Sequence, residues 1–293
     1  MTRRRARGAS GPAQRVRTPK KSPPVESRGW LVVAARRREL IASLALLSAV
    51  IAVYAPSLSG GFLNWDDPWL LLRNPHVQSC EVSEIGKIWT DFSKTTRLEL
   101  GAEYLPLRDL SHWLEGCTVG IRATPMRIAN LLIYASAVLL FAELFRIWFS
   151  GFLPAQVAAW IFALHPVHAE SVAWLAGRKD VLALLFVAAA LLIHARQGPS
   201  RTWSVPLLIG CACLSKSVTV IAPALLLAQD FWLRRRPEQR VYLGSIGVAL
   251  AAAALHIAVG SNVGMTTELA GGSRATALIT MGPVWLRYLK ALI

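Results

Sequence analysis

The chain has 293 residues, of which 54% are hydrophobic, and its mean hydropathy is +0.43. Soluble domains average about 45–50% apolar residues with glycine included, so the composition excludes an ordinary soluble domain and favours a membrane protein. The net charge of +15 is unevenly distributed: residues 1–38 hold 12 of the 32 Lys and Arg residues and a single acid, Glu26. A basic tail ahead of an apolar segment indicates membrane topology rather than nucleic-acid binding, so we expect no nucleic acid partner.

The N-terminal part predicts a tail followed by a membrane span. Residues 1–38 are rich in Arg, Pro, Ser and Gly, which is typical of disordered segments. Leu40–Leu58 contains 19 residues without a charge, about the length that crosses a bilayer. Because basic residues stay in the cytoplasm, Arg36-Arg37-Arg38 predicts a cytoplasmic N-terminus. The expected domains are therefore a disordered basic tail over 1–38 and a membrane domain over 39–293.

Further apolar segments predict an all-α polytopic membrane protein with seven transmembrane helices and the start of an eighth. They are Met126–Trp148, Gly151–Leu164, Val181–Ala195, Trp203–Leu214, Val218–Leu233 and Val241–Val259, followed by Gly282–Ile293. The short third span could continue as helix into Pro166, since proline is tolerated in a first turn. We divide 203–233 at Lys216, because one long helix would export the basic residues Arg234–Arg236 and Arg240, against the positive-inside tendency.

Residues 57–125, between the first two spans, predict a large folded exoplasmic loop. They carry nine acids and six basic residues among Trp, Tyr and Leu, so we expect short helices at the membrane interface. Cys80 and Cys117 lie in this loop and could form a disulfide if the loop faces an oxidising compartment, which the sequence alone leaves open. Cys211 and Cys213 lie within an apolar run and are expected to pack there.

The predicted topology brings several groups of ionisable residues to the face opposite the cytoplasm. They are Asp66 and Asp67, the stretch His165–Asp180, Lys216 and the Gly260–Thr280 loop. Ionisable groups at a membrane boundary are costly to keep there and are functional candidates. The alternative is an interfacial loop whose charges are simply solvated.

The order of short motifs resembles a known family. The motifs are Leu63-Asn64-Trp65-Asp66-Asp67, Arg73-Asn74-Pro75-His76-Val77, Tyr104–Ser111, Asn130-Leu131-Leu132, His165–Ala173 with Gly177-Arg178-Lys179-Asp180, and Leu214-Ser215-Lys216. Over about residues 50–290, this set is similar to the membrane part of the transmembrane and tetratricopeptide-repeat O-mannosyltransferases and their bacterial relatives. Those enzymes are distant cousins of the protein O-mannosyltransferases and share the GT-C fold of glycosyltransferases that use lipid-linked sugars.

The chain departs from the family pattern at several points. Ser217 stands where members often have Glu after the Leu-Ser-Lys motif, and Arg127 replaces a His that is usual shortly before Asn130. Tetratricopeptide repeats do not follow within the sequence. The resemblance therefore implies a GT-C-like membrane domain that is incomplete at its C-terminus.

The resemblance implies transfer of a sugar, mannose by analogy, from a polyprenyl or dolichyl phosphate to Ser or Thr hydroxyls of an acceptor protein. The attacking hydroxyl must lose a proton, and a carboxylate within hydrogen-bond reach can accept it. By resemblance to the Asp-Glu pair of protein O-mannosyltransferases, Asp66 is the expected base, with Asp67 supporting it. The alternative is that Asp66-Asp67-Pro68 only forms a helix cap or turn.

The leaving phosphate requires cations near the membrane plane. Arg178 could bind it bidentately, with Lys179 and Lys216 as point charges and Asp180 beside them, although lysines can also merely snorkel to headgroups.

His165, His168 and Glu170 are further candidates for sugar or phosphate contacts. Glu170 could instead pair with Arg178, and Arg108 with Asp109 across the loop. Although two histidines spaced i, i+3 beside a carboxylate could bind a divalent metal, we favour hydrogen-bonding roles and expect no metal or cofactor.

Two other functions compete with glycosyl transfer. A catalytically inactive scaffold could keep the fold and bind only lipid-linked sugar or partner proteins. A transporter ranks last, because transporters place charges near the bilayer midplane rather than at one face. The Ala-, Arg- and Leu-rich composition suggests a bacterial inner membrane, or the endoplasmic reticulum membrane in a eukaryote.

Overall fold

The computed structural model describes residues 25–101, 103–264 and 272–291, and all regular secondary structure in these ranges is helical. The chain divides into two units, Met1–Ile41 and Ala42–Ile293. The α-helices are α1 (Val25–Tyr54), α2 (Pro75–Gln78), α3 (Ser83–Thr90), α4 (Lys94–Glu99), α5 (Pro106–Val119), α6 (Ala123–Trp148), α7 (Phe152–Leu164), α8 (Ala169–Ala173), α9 (Arg178–Arg196), α10 (Arg201–Ser215), α11 (Ala222–Trp232), α12 (Gln239–Asn262) and α13 (Arg274–Ala291).

The membrane character of the chain is evident from three helical segments that are long and apolar enough to cross a bilayer. They are Val33–Ser59, Ala123–Trp148 and Gln239–Asn262. Two shorter apolar helices are Phe152–Leu164 and Ser217–Trp232. An all-helical membrane protein is therefore confirmed, and the count of seven spans stays a prediction.

Helix α1 begins at Val25, so it includes residues 25–38, which the sequence analysis assigned to a disordered tail. Ala, Arg, Glu and Leu, which are strong helix formers, dominate residues 34–40 and explain this extension. Residues 1–24 of the predicted tail lie outside the described residues. Part of the predicted Gly260–Thr280 loop, residues 265–271, also lies outside them, and α12 and α13 occupy much of the remainder.

The hydrophobic core of the second unit is centred on α9. This helix packs against α6 on one side and α10 on the other, and α10 packs in turn against α12. Leu46 and Val50 of α1 join the same buried cluster. Alanines such as Ala188 and Ala190 are almost fully buried on α9, and such small residues allow neighbouring helices to approach closely.

Two helices, α7 and α10, end at the polar end of the bundle. Helix α7 ends at Leu164, because Pro166 disfavours helical geometry at His165, which is extended at φ −64° and ψ 130°. The third helix therefore does not continue through the proline. Helix α10 ends at Ser215, Lys216 is extended, and a 3₁₀ turn over Ser217–Ile221 leads into α11. The predicted division at Lys216 is confirmed.

Residues 60–122, which we call the first-loop segment, contain α2 to α5. Asn74 caps α2 by accepting a hydrogen bond from the amide of His76 at 3.0 Å. A disulfide joins Cys80 to Cys117, whose Cα atoms lie 5.3 Å apart, and thereby ties the end of α5 to the residues after α2. The first-loop segment is thus a folded, cross-linked unit.

We expect the disulfide to stabilise the first-loop segment. Closing a loop of this length restricts the unfolded chain, so the double variant C80S/C117S should lose about 2–4 kcal/mol of unfolding free energy. Thermal unfolding with and without reductant measures this. Reductant should lower the melting temperature of the wild-type protein and leave that of the double variant unchanged. An equal effect on both proteins would contradict the expectation.

Gly177 allows the tight approach of two chain segments before α9. A Cβ atom at this position would lie 2.7 Å from the carbonyl oxygen and 3.0 Å from the Cα of Ser171. Both neighbours are backbone atoms, so neither can rotate away. The glycine of the Gly177–Asp180 motif is therefore required by packing.

Replacing Gly177 with alanine should lower the unfolding free energy by about 1–3 kcal/mol through this overpacking. The matched control is Gly247→Ala, because Gly247 lies on α12 with open space around its would-be Cβ. The control should be neutral or slightly stabilising, since alanine favours helix over glycine. Thermal unfolding in detergent distinguishes the two, and equal melting temperatures would contradict the packing argument.

Candidate functional site

The two acids at the start of the first-loop segment differ in environment. Asp67 is fully buried, and its Oδ2 accepts a hydrogen bond from the amide of Leu63 at 2.7 Å. Burial raises the pKa of Asp67, while hydrogen bonds from the Leu63 and Ala176 amides and the charge of Arg127 oppose the rise. The Asp66 side chain is partly exposed and has no hydrogen bond or ion pair to the residues the structure describes. Asp67 thus stabilises the turn that begins at Leu63, and the Asp66 carboxylate remains free to contact a ligand.

A cavity of about 810 Å³ lies at the start of the first-loop segment, and it is lined by the residues that precede the two acids rather than by Asp66 or Asp67 themselves. Its lining residues are Ser57, Gly60, Leu63, Asn64, Trp65, Arg127, Glu170, Ala173 and Trp174. Two indole rings provide large flat surfaces, and the exposed Glu170 supplies a carboxylate. We call this the Trp65 cavity. It brings the Leu63–Asp67 motif and the His165–Ala173 motif together.

Arg127 connects the two walls of the Trp65 cavity. Its guanidinium donates hydrogen bonds to the carbonyl oxygens of Gly60 and, at 2.8 Å, Gly61. Its Nε donates to the carbonyl oxygen of Ala173 at 3.0 Å. The arginine that departs from the family pattern is therefore a positioning residue, which joins the Gly60-Gly61 segment to α8.

Arg178 lies in the interior and does not reach a surface where a phosphate could bind. Its guanidinium donates to Asn130 Oδ1, to the Met126 carbonyl oxygen at 2.9 Å and to Glu115 Oε2 at 2.8 Å. The side chain is 2% exposed. The proposed phosphate contact of Arg178 is corrected accordingly, and so is its pairing with Glu170, because Glu115 occupies that position.

Lys179 and Lys216 remain at the surface, each in an ion pair. Lys179 Nζ lies 2.8 and 2.9 Å from the two carboxylate oxygens of Glu103, which also binds Arg108 at 2.7 Å. Lys216 pairs with Asp180, and about a third of its side chain is exposed. Burial and the charge of Lys179 lower the pKa of Lys216, whereas Glu103 and Glu170 act in the opposite direction. Glu170 of the Trp65 cavity thus lies within electrostatic range of Lys216.

The two histidines of the His165–Ala173 motif face a different cavity. His165, Val167 and His168 line a mostly apolar space of about 560 Å³ with Ala158, Ile161 and Phe162. The His168 ring packs against Phe162 and Tyr134 in tilted contacts, at centroid distances of 4.9 and 5.4 Å. Within the described ranges, no three His, Cys, Asp or Glu residues are grouped so that they could hold a metal.

Comparison with known proteins identifies relatives by sequence. The chain is 28% identical to protein O-mannosyl-transferase TMTC2 of Mus musculus over 218 residues, 71% of this chain and 26% of that protein. It is 31% identical to TMTC2 of Homo sapiens over 196 residues, 62% of this chain and 23% of that protein. The resemblance to the transmembrane and tetratricopeptide-repeat O-mannosyltransferase family is confirmed. A third relative, protein O-mannosyl-transferase F38B6.6 of Caenorhabditis elegans, is 28% identical over 198 residues, 66% of this chain and 28% of that protein.

The chain spans about a quarter of the length of these O-mannosyl-transferase relatives. No family model and no solved structure matches it.

Lys179 is connected through Glu103 to a network of buried charged residues, and the sequence indicated only part of this network. Arg108 and Asp109 are paired as predicted, at 2.9 Å, but both are buried rather than exposed. Arg97 lies 3.9 Å from Asp109 and over the ring of Tyr104. The Tyr104–Ser111 motif signalled part of this network, whereas Arg97, Glu103 and Glu115 had no signal that we used. Their partners are distant or irregular in spacing along the chain.

We expect Arg178→Ala to act on stability. It would leave the buried Glu115 carboxylate without its cation, which typically costs about 3–5 kcal/mol. The matched control is Arg122→Ala, since Arg122 is exposed at the start of α6 and should change the melting temperature little. Thermal unfolding in detergent measures both. A stable Arg178→Ala protein that loses only affinity for a phosphate lipid would contradict the structural role and restore the phosphate contact.

Proposed function

We propose that this protein is a glycosyltransferase that moves a mannosyl group from a polyprenyl or dolichyl phosphate to Ser or Thr hydroxyls of an acceptor protein. Its relatives are protein O-mannosyl-transferases, which supports O-mannosyl transfer. Because the chain covers only about a quarter of those proteins, the argument also depends on the site itself. The single observation that carries it is an unpaired carboxylate, Asp66, which directly follows Trp65 in the wall of a large aromatic cavity that also contains Glu170.

The Trp65 cavity suits a sugar donor at the membrane boundary. Indole faces such as those of Trp65 and Trp174 pack against apolar faces of ligands and leave their polar edges free. Glu170 can accept hydrogen bonds from sugar hydroxyls. The neighbouring apolar cavity with His165 and His168 offers a surface for the lipid chain near its phosphate.

The reaction requires one proton transfer and one substitution. Asp66 removes the proton from the acceptor hydroxyl while that oxygen attacks the anomeric carbon. The bond between the anomeric carbon and the phosphate oxygen breaks, and the phosphate leaves with the electron pair. Lys216 and Lys179 stabilise the developing negative charge, and Asp67 holds the turn that presents Asp66.

Membrane topology supports an exoplasmic site. In the proposed arrangement, seven helices span the membrane, the N-terminus is cytoplasmic and the first-loop segment is exoplasmic. The disulfide between Cys80 and Cys117 supports this, because disulfides persist in oxidising compartments. The cluster of Arg234, Arg235 and Arg236 after α11 then lies on the cytoplasmic side.

We expect Asp66→Asn to reduce sugar transfer from polyprenyl phosphate mannose by at least about 100-fold, since the amide cannot accept the proton. The folded state should be unaffected, because the Asp66 side chain has no hydrogen bond or ion pair in the described structure and its backbone bond to Leu70 is kept. The control is Glu81→Gln, an exposed acid of the same segment that lies outside the Trp65 cavity, and it should keep wild-type activity. Radiolabelled transfer to a Ser/Thr peptide in proteoliposomes measures the rate.

Wild-type transfer that survives Asp66→Asn would refute the role of the base. A wild-type protein that binds the donor lipid but never transfers its sugar would favour the scaffold function instead.

A further inference from the structure

One motif residue of the first-loop segment has no part in the proposed reaction. In the Arg73–Val77 motif, Asn74 caps α2, His76 is buried against Glu84 at 2.7 Å, and Val77 is 1% exposed. These three residues are explained by folding. Arg73 is different, because its side chain is exposed and has no hydrogen bond or ion pair with any part of the chain that the structure describes.

Arg73 lines a second polar cavity, of about 670 Å³, together with Trp69, Leu98, Glu99 and Gly101. We call this the Trp69 cavity. The indole of Trp69 is 42% exposed. Glu99, at the end of α4, is exposed and, like Arg73, has no ion pair within the described ranges. An unpaired cation and an unpaired anion therefore border one aromatic surface.

The Trp69 cavity and the Trp65 cavity are lined by neighbouring parts of one short turn. Leu63 to Trp65 line the Trp65 cavity, and Trp69 and Arg73 line the Trp69 cavity. Backbone hydrogen bonds from Leu70 to Asp66 at 3.0 Å and from Arg73 to Pro68 at 2.7 Å make this turn compact. In the sequence, Asp66 therefore lies between the residues that line the two cavities.

We propose that the Trp69 cavity binds the acceptor polypeptide, through a segment that carries an acidic side chain near the Ser or Thr. Arg73 binds that carboxylate, since guanidinium and carboxylate groups pair bidentately. Glu99 accepts hydrogen bonds from backbone amides of the segment, and Trp69 packs against its side chains. This inference rests on the proposed function, because it names the site of the second substrate.

The charges of the cavity favour a polypeptide over the other candidate ligands. A lipid phosphate could pair with Arg73 but offers no hydrogen-bond donor to Glu99, so it would satisfy only one of the two charges. A neutral glycan would gain little from an unpaired Arg73. A peptide offers amide donors and carboxylate acceptors at the same time, which matches the two charges.

The test measures peptide binding directly, without sugar transfer. The full chain in lipid nanodiscs is titrated into a fluorescent Ser/Thr peptide with acidic neighbours, and anisotropy reports the affinity. Arg73→Ala should weaken binding by about tenfold or more, as expected for loss of a hydrogen-bonded charge pair. Trp69→Ala should also weaken it, and Arg122→Ala, an exposed arginine outside the cavity, should not.

Reversing the charges of both the peptide and Arg73 distinguishes loss of the charge pair from loss of folding. A peptide with Lys in place of its acids should bind poorly to the wild-type protein and regain affinity for Arg73→Glu. Equal affinities of the wild type, Arg73→Ala and Arg122→Ala for the acidic peptide would overturn the proposal. Competition by a neutral mannose oligosaccharide, or by polyprenyl phosphate, would overturn it too and assign the cavity to a glycan or lipid.

Hydrolysis of the donor by water measures the proposed reaction independently of peptide binding. If the wild-type protein binds peptide through Arg73 and neither transfers nor hydrolyses the sugar, the proposed reaction fails and the peptide site stands. If transfer proceeds with an unchanged KM for peptide in Arg73→Ala, the peptide site fails and the reaction stands.

Discussion

The buried guanidinium of Arg178 is the contact on which the arrangement of the site depends. A charge removed from water needs both a counter-ion and hydrogen-bond acceptors. For Arg178, Glu115 on α5 is the counter-ion, and Asn130 and the Met126 carbonyl on α6 are hydrogen-bond acceptors. Because Arg178 begins α9, these bonds fasten the first-loop segment to α6 and α9. Asn130 also donates a hydrogen bond to the carbonyl oxygen of Trp174 at 3.0 Å, which links this junction to the wall of the Trp65 cavity.

A consistent division between structural and available charges follows from burial. Asp67 and Arg178 are held by protein partners and cannot easily exchange them for a ligand. Asp66, Glu170 and the lysines Lys179 and Lys216 keep contact with solvent. The ion pairs of the two lysines are partly exposed, so an incoming phosphate can compete with their carboxylates. In the Leu63–Asp67 and Gly177–Asp180 motifs, therefore, one charged residue is buried as part of the fold and its neighbour stays accessible.

Two cavities on either side of one short turn suggest how a two-substrate reaction is organised. The Trp65 cavity is formed where residues 57–65 meet α6 and α8, near the expected membrane boundary. The Trp69 cavity is formed within the first-loop segment. In the proposed reaction, a lipid-linked donor arrives from the membrane and a polypeptide acceptor from the aqueous side, and one cavity is available for each.

The sequence by itself determined the helical membrane character, the division at Lys216 and the motifs that meet at the Trp65 cavity. Hydropathy and the positions of prolines and charged residues between apolar segments are local properties, so they can be recognised in the sequence. Only the tertiary structure decided which residue of each charged pair is buried. Arg178 looked like a phosphate ligand because its partner Glu115 is 63 positions away in the chain. His165 and His168 looked close to Glu170, but the break after Leu164 turns them into another cavity. Burial and pairing depend on contacts between distant segments, which no local pattern contains.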